Sequence, residues 1–346
     1  MSEINASVTI LDVAREAGVS YSTVSRVLSG YNYVKDSTRE RVLEAVERLG
    51  YVVNQQARSL AGGKSGVIGL LVPGLDNGYI GEIARGIDEE LSKSSYDLLL
   101  YTTHRTSTEA SYALKMTKGL ADGVLLVVPL LTTGYIETLR EQNFPYVLID
   151  QVDPTNHSSA VDSLNRQGAY EATQYLLGLG HRRIGFITGL MKLRSAEERL
   201  AGHMAALRDA GMSTEEDLIQ TGDFWRREGY EAAERLLNLP NPPTAIFASN
   251  DLSAFGVMEA VRAYGLQVPH DISVIGFDDI PQASLVYPRL TTVRQPLDEM
   301  GRIAARLLIE QIENPDRPIR HVTLPTSLVI RESCQSPHQS WLDLRR

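Results

Sequence analysis

The stretch from Thr9 to Leu28, TILDVAREAGVSYSTVSRVL, predicts two short helices joined by a tight turn. Thr9 can cap the first helix, and the apolar residues that follow recur at helical spacing. Gly18 supplies the positive φ that ends this helix, and Ser20 can cap the second. The pattern therefore predicts a helix-turn-helix. The alternative is a structural helical hairpin, because short helices joined at a glycine are also common in all-α packing.

The second helix has a polar face near its N-terminal end. This face consists of Tyr21, Ser22, Ser25 and Arg26. Side chains that donate and accept hydrogen bonds at this place can enter a major groove, where an arginine fork suits guanine best. The face therefore predicts direct contact with DNA bases.

A third amphipathic helix is predicted to begin at Asp36 or Ser37 and to end at Gly50. With these three helices the chain resembles the LacI/GalR family of bacterial transcription repressors. The resemblance rests on residues 9–29, RERV (39–42) with LGY (49–51), ARSL (57–60), IGLLVP (68–73) and motifs further on. It extends over nearly the whole chain.

The segment from Asn54 to Leu60 has seven residues. A helix needs roughly 12–15 residues to hold itself in water, so this segment should be largely unfolded off DNA. The resemblance implies that two copies, including Asn54 and Ala57, fold together in the minor groove, where Leu60 wedges into the central base step. It implies DNA contacts for Thr9 and Ser20 as well. Packing of Leu60 on the following domain is the alternative interpretation.

Composition limits the classes of protein to consider. The 346 residues allow two or three domains, and 43% hydrophobic with 22% charged residues is typical of a globular protein. The one cysteine, Cys334, excludes an internal disulfide and favours the reducing cytoplasm. Neither a signal peptide nor a membrane-spanning run is predicted, so we expect a cytoplasmic protein without a membrane partner.

The formal net charge of −9 is unusual for a DNA-binding protein. Residues 1–65 carry eight Lys/Arg against seven Asp/Glu, a net charge of +1, which leaves −10 for the remainder. Non-specific affinity should be modest, so tight binding needs two heads. We therefore expect a homodimer on a pseudo-palindromic double-stranded operator, with contacts through first-lobe helices near 82–92 and 110–120. The short tail, which contains Pro337, argues against a tetramer.

From Gly66 onward, continuous apolar runs alternate with amphipathic segments, which predicts doubly wound parallel sheets. The predicted class is α/β: a small all-α helix-turn-helix head with a hinge helix, followed by two Rossmann-like lobes. The resemblance implies the periplasmic-binding-protein arrangement, whose cleft closes on a small ligand. The predicted boundaries are 1–53 (head), 54–65 (hinge and linker), 66–161 with 291–324 (first lobe), 162–290 with 325–334 (second lobe) and 335–346 (tail).

Sequence motifs for catalysis and metal binding are missing. Gly63-Lys64-Ser65 ends like a phosphate-binding loop, but Arg58 stands where the first glycine is required. The seven histidines lack metal-ligand spacing, and no nucleophile elbow occurs. We therefore expect no catalytic residues, no metal and no cofactor.

Several candidate ligand residues follow predicted strands, where open α/β sheets place their crevice. They are Tyr79, Asp150, Arg194, Arg199, Phe224, Trp225, Asn250, Asp251 and Asp278. Matching positions line the effector cleft in the resembled family, although the stretch around Arg194 does not register cleanly with it. The alternatives are helix capping for Asp150 and Asp251, a solvated charge for Arg199, and ordinary packing for the aromatic residues.

Carboxylates, amides and arginine bind hydroxyl groups, and an aromatic face can stack on a ring, so the predicted effector is a mono- or oligosaccharide. The sequence therefore predicts a ligand-responsive transcriptional regulator, most simply a repressor. The nearest alternative is the same fold with a purine or a phosphocarrier protein as coregulator. A sugar-binding transport protein and an α/β enzyme are further alternatives. Whether the ligand releases or recruits DNA stays open.

Arg26→Ala should weaken operator binding by about 1–3 kcal/mol and relax preference at one base position of each half-site, because a base-directed arginine carries discrimination. Fluorescence anisotropy with operators altered at single positions would measure both effects. Equal weakening on every sequence would instead identify Arg26 as a phosphate contact.

Overall fold

The structure is a computed structural model that describes residues 8–28, 33–51, 64–75, 78–103, 108–129, 134–153, 155 and 157–337. The chain divides into two compact units, residues 1–65 and 66–346. Across the described ranges, no helix combines the length and apolar character that spanning a membrane requires.

The first unit contains the predicted helix-turn-helix. Its described helices are α1 (Ile10–Ala17), α2 (Tyr21–Leu28) and α3 (Asp36–Leu49). The N–H and the hydroxyl of Thr9 donate to the Asp12 carboxylate (3.0 and 2.7 Å), which fixes the start of α1. Gly18, with φ of 64°, ends this helix. Arg48 on α3 donates to Glu16 on α1 (2.8 Å). The core takes one fully buried valine from each helix: Val13, Val24 and Val42.

The second unit is built from two sheets with helices on both faces, which confirms the predicted α/β class. Its described strands are β1 (Val67–Val72), β2 (Asp97–Thr102), β3 (Gly123–Val127), β4 (Tyr146–Ile149), β5 (Ser159–Ser163), β6 (Ile184–Ile187), β7 (Ile219–Gln220), β8 (Ala245–Ala248), β9 (Ser273–Asp278), β10 (Thr291–Arg294), β11 (His321–Leu324) and β12 (Ser327–Val329). Its described α-helices are α4 (Gly78–Leu91), α5 (Thr108–Lys115), α6 (Tyr135–Glu141), α7 (Asn165–Gly178), α8 (Arg194–Asp209), α9 (Arg226–Leu237), α10 (Asp251–Ala263) and α11 (Leu297–Glu313).

The first sheet is parallel throughout, with the strand order β11-β5-β4-β3-β1-β2. Leu70 and Val72 of β1 pack with α4 and α11 on one face. Leu71 packs with α5 and α6 on the other. Because helices cover both faces, successive residues of a strand are apolar, which explains the continuous apolar runs in the sequence.

The second sheet has the order β12-β10-β9-β8-β6-β7, with β12 antiparallel to β10 at the edge. Ile187 and Ile246 pack with α9 and α10. Phe186 and Phe247 pack with α7 and α8 on the opposite face. Successive residues of a strand therefore again pack against helices on opposite faces of the sheet.

The connections between the sheets differ in detail from the predicted lobe boundaries. Strand β5 pairs with β11 in the first sheet as far as Ser163, and β10 pairs with β9 in the second as far as Arg294. The chain therefore crosses after Ser163 and after Arg294. The approximate boundaries predicted from the sequence, after residues 161 and 290, lie a few residues before these points. Short strands of mixed polarity carry no sign of which sheet they join, because that depends on pairing partners far along the chain.

Helices α4 and α11 approach each other backbone to backbone. A Cβ at Gly86 would lie 1.8 Å from the carbonyl oxygen of Asp298, and a Cβ at Gly301 would lie 2.2 Å from that of Ile83. Only glycine permits this separation, so the packing of the first lobe depends on these two positions.

Gly86→Ala should lower the free energy of unfolding of the second unit by about 1–3 kcal/mol, because the added methyl group overpacks the α4–α11 contact. Gly81 lies on the same helix, and a Cβ at that position would have no other atom within 4 Å, so Gly81→Ala is the matched control. This control should raise stability by about 0.5–1 kcal/mol. Urea unfolding followed by circular dichroism measures both, and equal effects of the two substitutions would contradict the close approach.

Candidate functional site

The start of α2 forms the candidate DNA-reading surface of the first unit. The Ser20 hydroxyl accepts from the Thr23 N–H (3.2 Å) and so caps the helix. Tyr21, Ser22 and Arg26 are exposed. Within the described part of the chain, the Arg26 guanidinium has no ion pair or hydrogen bond. It is therefore available to an outside partner.

The other predicted DNA contacts are placed as follows. Ser25 is half-buried on the same helix, and Thr9 is exposed at the start of α1. Asn54, Ala57 and Leu60 lie outside the described residues, so their roles stay predictions.

A cavity in the second unit lies at the carboxyl ends of strands from both sheets. Seven of the nine predicted ligand residues line it: Tyr79, Asp150, Arg199, Phe224, Trp225, Asn250 and Asp278. Asp150 follows β4, and Asp278 ends β9. The first and second lobes both contribute, so a bound molecule would contact each of them.

The Arg199 guanidinium is the most connected group of the cavity. It is 2% exposed. Its Nε donates to the Asn165 side-chain oxygen (2.8 Å), and its Nη1 donates to the Ser249 carbonyl (2.7 Å) and to Asp278 (3.5 Å). Its central carbon lies 3.9 Å from the ring centroid of Phe277. These contacts fix Arg199 in place and exclude the alternative of a solvated helix charge.

Asp150 presents an unsatisfied carboxylate oxygen. The Tyr79 hydroxyl donates to Oδ2 (2.7 Å), whereas the buried Oδ1 accepts no hydrogen bond from any described residue. Burial raises the pKa of Asp150, and the charge of Arg199 opposes that shift. An unsatisfied buried acceptor costs about 1–3 kcal/mol, so a ligand with a hydrogen-bond donor would relieve this cost.

The backbone is strained at four residues that line the cavity. Val128, Asp150, Phe224 and Asp278 have φ values of 48°, 53°, 77° and 116°. Positive φ costs a residue with a side chain about 1–3 kcal/mol, and such strain concentrates at functional sites. The local backbone is therefore held in place by surrounding contacts to present these side chains.

Phe224 and Trp225 supply the aromatic wall. The Asn250 amide donates to the Phe224 carbonyl (3.0 Å), while its oxygen accepts from the Ser253 N–H (2.9 Å) and caps α10. The Phe224 ring lies so close to Gly189 that a Cβ there would be 1.9 Å from it. Asn250 thus holds the loop that carries both aromatic residues.

Two predicted ligand residues do not reach the cavity. Arg194 is half-exposed, donates to Glu198 (2.6 Å) and lines a different groove. It lies five residues before Arg199 on α8, which turns it about 140° away around the helix. Asp251 is fully buried, where it accepts from Thr292 and from the Ile280 N–H. Its role is structural support beneath the cavity.

Sequence reasoning missed two polar residues at this site. Ser195 is buried and lines the cavity. Gln295 donates to Asp278 (2.8 Å) and accepts from Ser163 (2.5 Å), so it links the cavity to the crossing between lobes. Gln295 lies directly after β10, a position at a strand end that could have revealed it.

In the ranges the structure describes, no group of three or more His, Cys, Asp or Glu side chains could hold a metal ion. The buried His203 stacks on Phe186 (4.8 Å between centroids), and burial lowers its pKa to about 3. That imidazole is packed in the core of the second lobe and does not line the cavity.

Comparisons with known proteins agree with this arrangement. Residues 9–54 match the bacterial regulatory proteins of the lacI family, and residues 173–334 match the periplasmic binding protein-like domain. The chain is 36% identical over 329 residues to catabolite control protein A of Priestia megaterium, covering 94% of this chain and 99% of that protein.

Several solved structures match almost the whole chain, and two of them are described below. The transcriptional regulator CelR–cellobiose complex superposes with a TM-score of 0.74 at 34% identity, over 94% of this chain and 99% of that one. The lac repressor dimer bound to operator and the anti-inducer ONPF superposes with a TM-score of 0.82 at 29% identity, over 95% and 100%.

The pKa of Asp278 allows the burial of this carboxyl group in the cavity to be tested by measuring stability against pH. Burial raises this pKa to about 7, against the opposing charge of Arg199, whereas an unfolded chain keeps it near 3.9. Between these values the folded state binds more protons than the unfolded state, so the free energy of unfolding should fall as pH rises from about 4 to about 7.

Asp278→Asn removes this titration, so the decline of stability with pH should become shallower. The amide oxygen can still accept from Gln295, so that hydrogen bond is kept. Urea unfolding between pH 5 and 8 measures the slope. The exposed Asp316 provides the control Asp316→Asn, which should keep the wild-type slope. Identical slopes in all three proteins would show that Asp278 does not titrate in this range.

Proposed function

The chain belongs to the LacI family of bacterial regulatory proteins, and from this membership we propose that its effector is a neutral sugar held in the cavity between the lobes. It is a DNA-binding transcriptional repressor whose effector domain takes a small molecule, and its relatives are repressors rather than enzymes. We infer that α2 reads the operator and that the protein works on DNA in the cytoplasm.

The sugar proposal rests on a free acceptor and a free donor that line the same cavity. Asp150 Oδ1 lacks a donor, and Arg199 Nη2 makes no hydrogen bond within the described chain although Nε and Nη1 do. A hydroxyl group both donates and accepts, so one sugar can satisfy both residues. Phe224 and Trp225 add an aromatic wall for the ring. The CelR relative is described as a complex with cellobiose.

Charge argues for a neutral sugar rather than a phosphorylated or acidic one. Asp150 and Asp278 face the cavity with Arg199 as their counter-charge, and Arg199 is already engaged by Asp278. An anionic ligand would lie beside the carboxyl groups of Asp150 and Asp278 without an unpaired cation among the described lining residues to receive it. A phosphate or carboxylate ligand is therefore disfavoured.

A purine base is the second candidate. The aromatic wall of Phe224 and Trp225 suits a planar ring, and the Asp150 carboxylate can accept from a ring N–H. A base offers fewer hydroxyl-type groups that both donate and accept, so it satisfies the Asp150–Arg199 pair less completely. Titration with both ligand classes separates the two.

Asp150→Asn should weaken binding of the preferred sugar at least about tenfold, because the amide retains the Tyr79 contact but replaces a charged acceptor. Calorimetry with a panel of neutral sugars, sugar phosphates and purine bases identifies the ligand first. Asp316→Asn, on the surface, should leave the affinity unchanged. Binding of a purine but no sugar would replace the first candidate with the second.

We propose a homodimer. One short recognition helix on a head of net charge +1 makes few contacts, so specific binding needs two heads. The first-lobe helix α4 is one candidate contact. The second lobe offers another, a groove beside Phe255 and Met258 with Leu285 and Tyr287 exposed at 79% and 92%. A relative was solved as a dimer bound to operator.

Light scattering at micromolar concentration should give the mass of a dimer. Tyr287→Asp should shift the equilibrium toward the monomer, because the charge would be buried at the interface. Asp316→Asn is again the control. A tetramer mass would contradict the dimer, and an unchanged dimerisation constant for Tyr287→Asp would remove the second-lobe surface from the interface.

A further inference from the structure

A second groove of about 650 Å³ lies where β5 and β11 end, beside the first turns of α7 and along α8. It shares no lining residue with the effector cavity. Its charged residues are Asp162, Arg166, Arg194, Glu198, Arg208 and Asp209. Both lobes contribute, because Asp162 belongs to the first sheet and the arginines lie on helices of the second lobe.

The acidic end of the groove is Asp162, which is 6% exposed. Its Oδ1 accepts from the Ser163 N–H (2.7 Å) and from the Asn165 amide (3.3 Å). Its Oδ2 accepts no hydrogen bond from any residue that the structure describes. Burial, together with the negative charge of Asp150, raises the pKa of Asp162 to about 7. A positively charged group in the groove would therefore be stabilised beside Oδ2.

The basic end is Arg166 in the first turn of α7. Its side chain is exposed and has no ion pair or hydrogen bond in the described ranges. The other two arginines are already paired, Arg194 with Glu198 (2.6 Å) and Arg208 with Asp209 (3.2 Å). The N-terminal end of a helix also favours a negative charge. Arg166 is thus the group in this groove that is free to receive an anion.

We propose that this groove binds a small zwitterion of the α-amino-acid type, with its ammonium group at Asp162 and its carboxylate at Arg166. The unpaired acid and the unpaired base are four residues apart in sequence and line one groove, so a ligand that carries both charges satisfies both. A simple anion or a simple cation satisfies only one.

The groove is connected to the effector cavity. The Asn165 amide donates to Asp162, and its side-chain oxygen accepts from Arg199 Nε (2.8 Å). A ligand bound at Asp162 would therefore be linked to Arg199 by hydrogen bonds through the Asn165 side chain. The protein would respond to two chemical classes of small molecule at two neighbouring sites.

Calorimetric titration of the full chain with each common α-amino acid tests the proposal. At least one should bind with a dissociation constant below about 1 mM. Acetate and methylammonium, which each carry one of the two charges, should bind at least about tenfold more weakly. Asp162→Asn and Arg166→Gln should each weaken the amino acid at least tenfold, and Asp316→Asn should not.

The proposal is overturned if no amino acid binds at about 10 mM, if acetate binds as tightly as the amino acid, or if both groove variants bind as the wild type does. Arg166→Gln also separates this site from the cavity, since Arg166 does not line the cavity. In the absence of amino acid, Arg166→Gln should leave the sugar affinity off DNA unchanged. A parallel loss of sugar affinity would mean that the groove is part of the effector site, against the proposal.

Discussion

The arrangement of the cavity depends on the buried guanidinium group of Arg199 and on the hydrogen bonds that it makes. A cation that is 2% exposed is tolerated only where hydrogen bonds and opposite charge replace its water. Asn165, the Ser249 carbonyl and Asp278 supply these bonds, and the Phe277 ring covers one face. Loss of any one of them would leave a buried charge incompletely paired.

The same contacts connect the cavity to the segments that join the lobes. Asn165 begins α7, just past the first crossing, and hydrogen-bonds to the Ser163 carbonyl (3.3 Å). On the other side, Asp278 is bonded to Gln295 and through it to Ser163. A ligand that contacts Arg199 or Asp278 is therefore linked by hydrogen bonds to the two segments that cross between the lobes. This gives a physical path by which effector binding can alter the relation of the lobes.

Much of this architecture was predictable because its signals are local. Gly18 and Ser20 set the turn between α1 and α2, and continuous apolar runs marked the strands with helices on both faces. The ends of those strands then indicated most of the cavity residues. Asp150 and Asp278 were found in this way.

The errors arose where the answer depends on distant partners. Arg194 and Arg199 are alike in sequence, but the phase of α8 points them to different grooves. Asn250 rather than Asp251 caps α10, and its amide also donates to the Phe224 carbonyl, a partner 26 residues away in the chain. The sheet to which β10 belongs is decided by its pairing with β9.

We propose that ligand binding in the cavity and operator binding by the first unit are coupled within one molecule. The most direct measurement is the dissociation constant of the preferred sugar with and without saturating operator DNA. If the sugar releases DNA, operator should raise this constant by the same factor by which sugar raises the operator constant, because the coupling free energy is reciprocal. An unchanged sugar constant on operator would contradict the account, and a lowered one would make the sugar a corepressor.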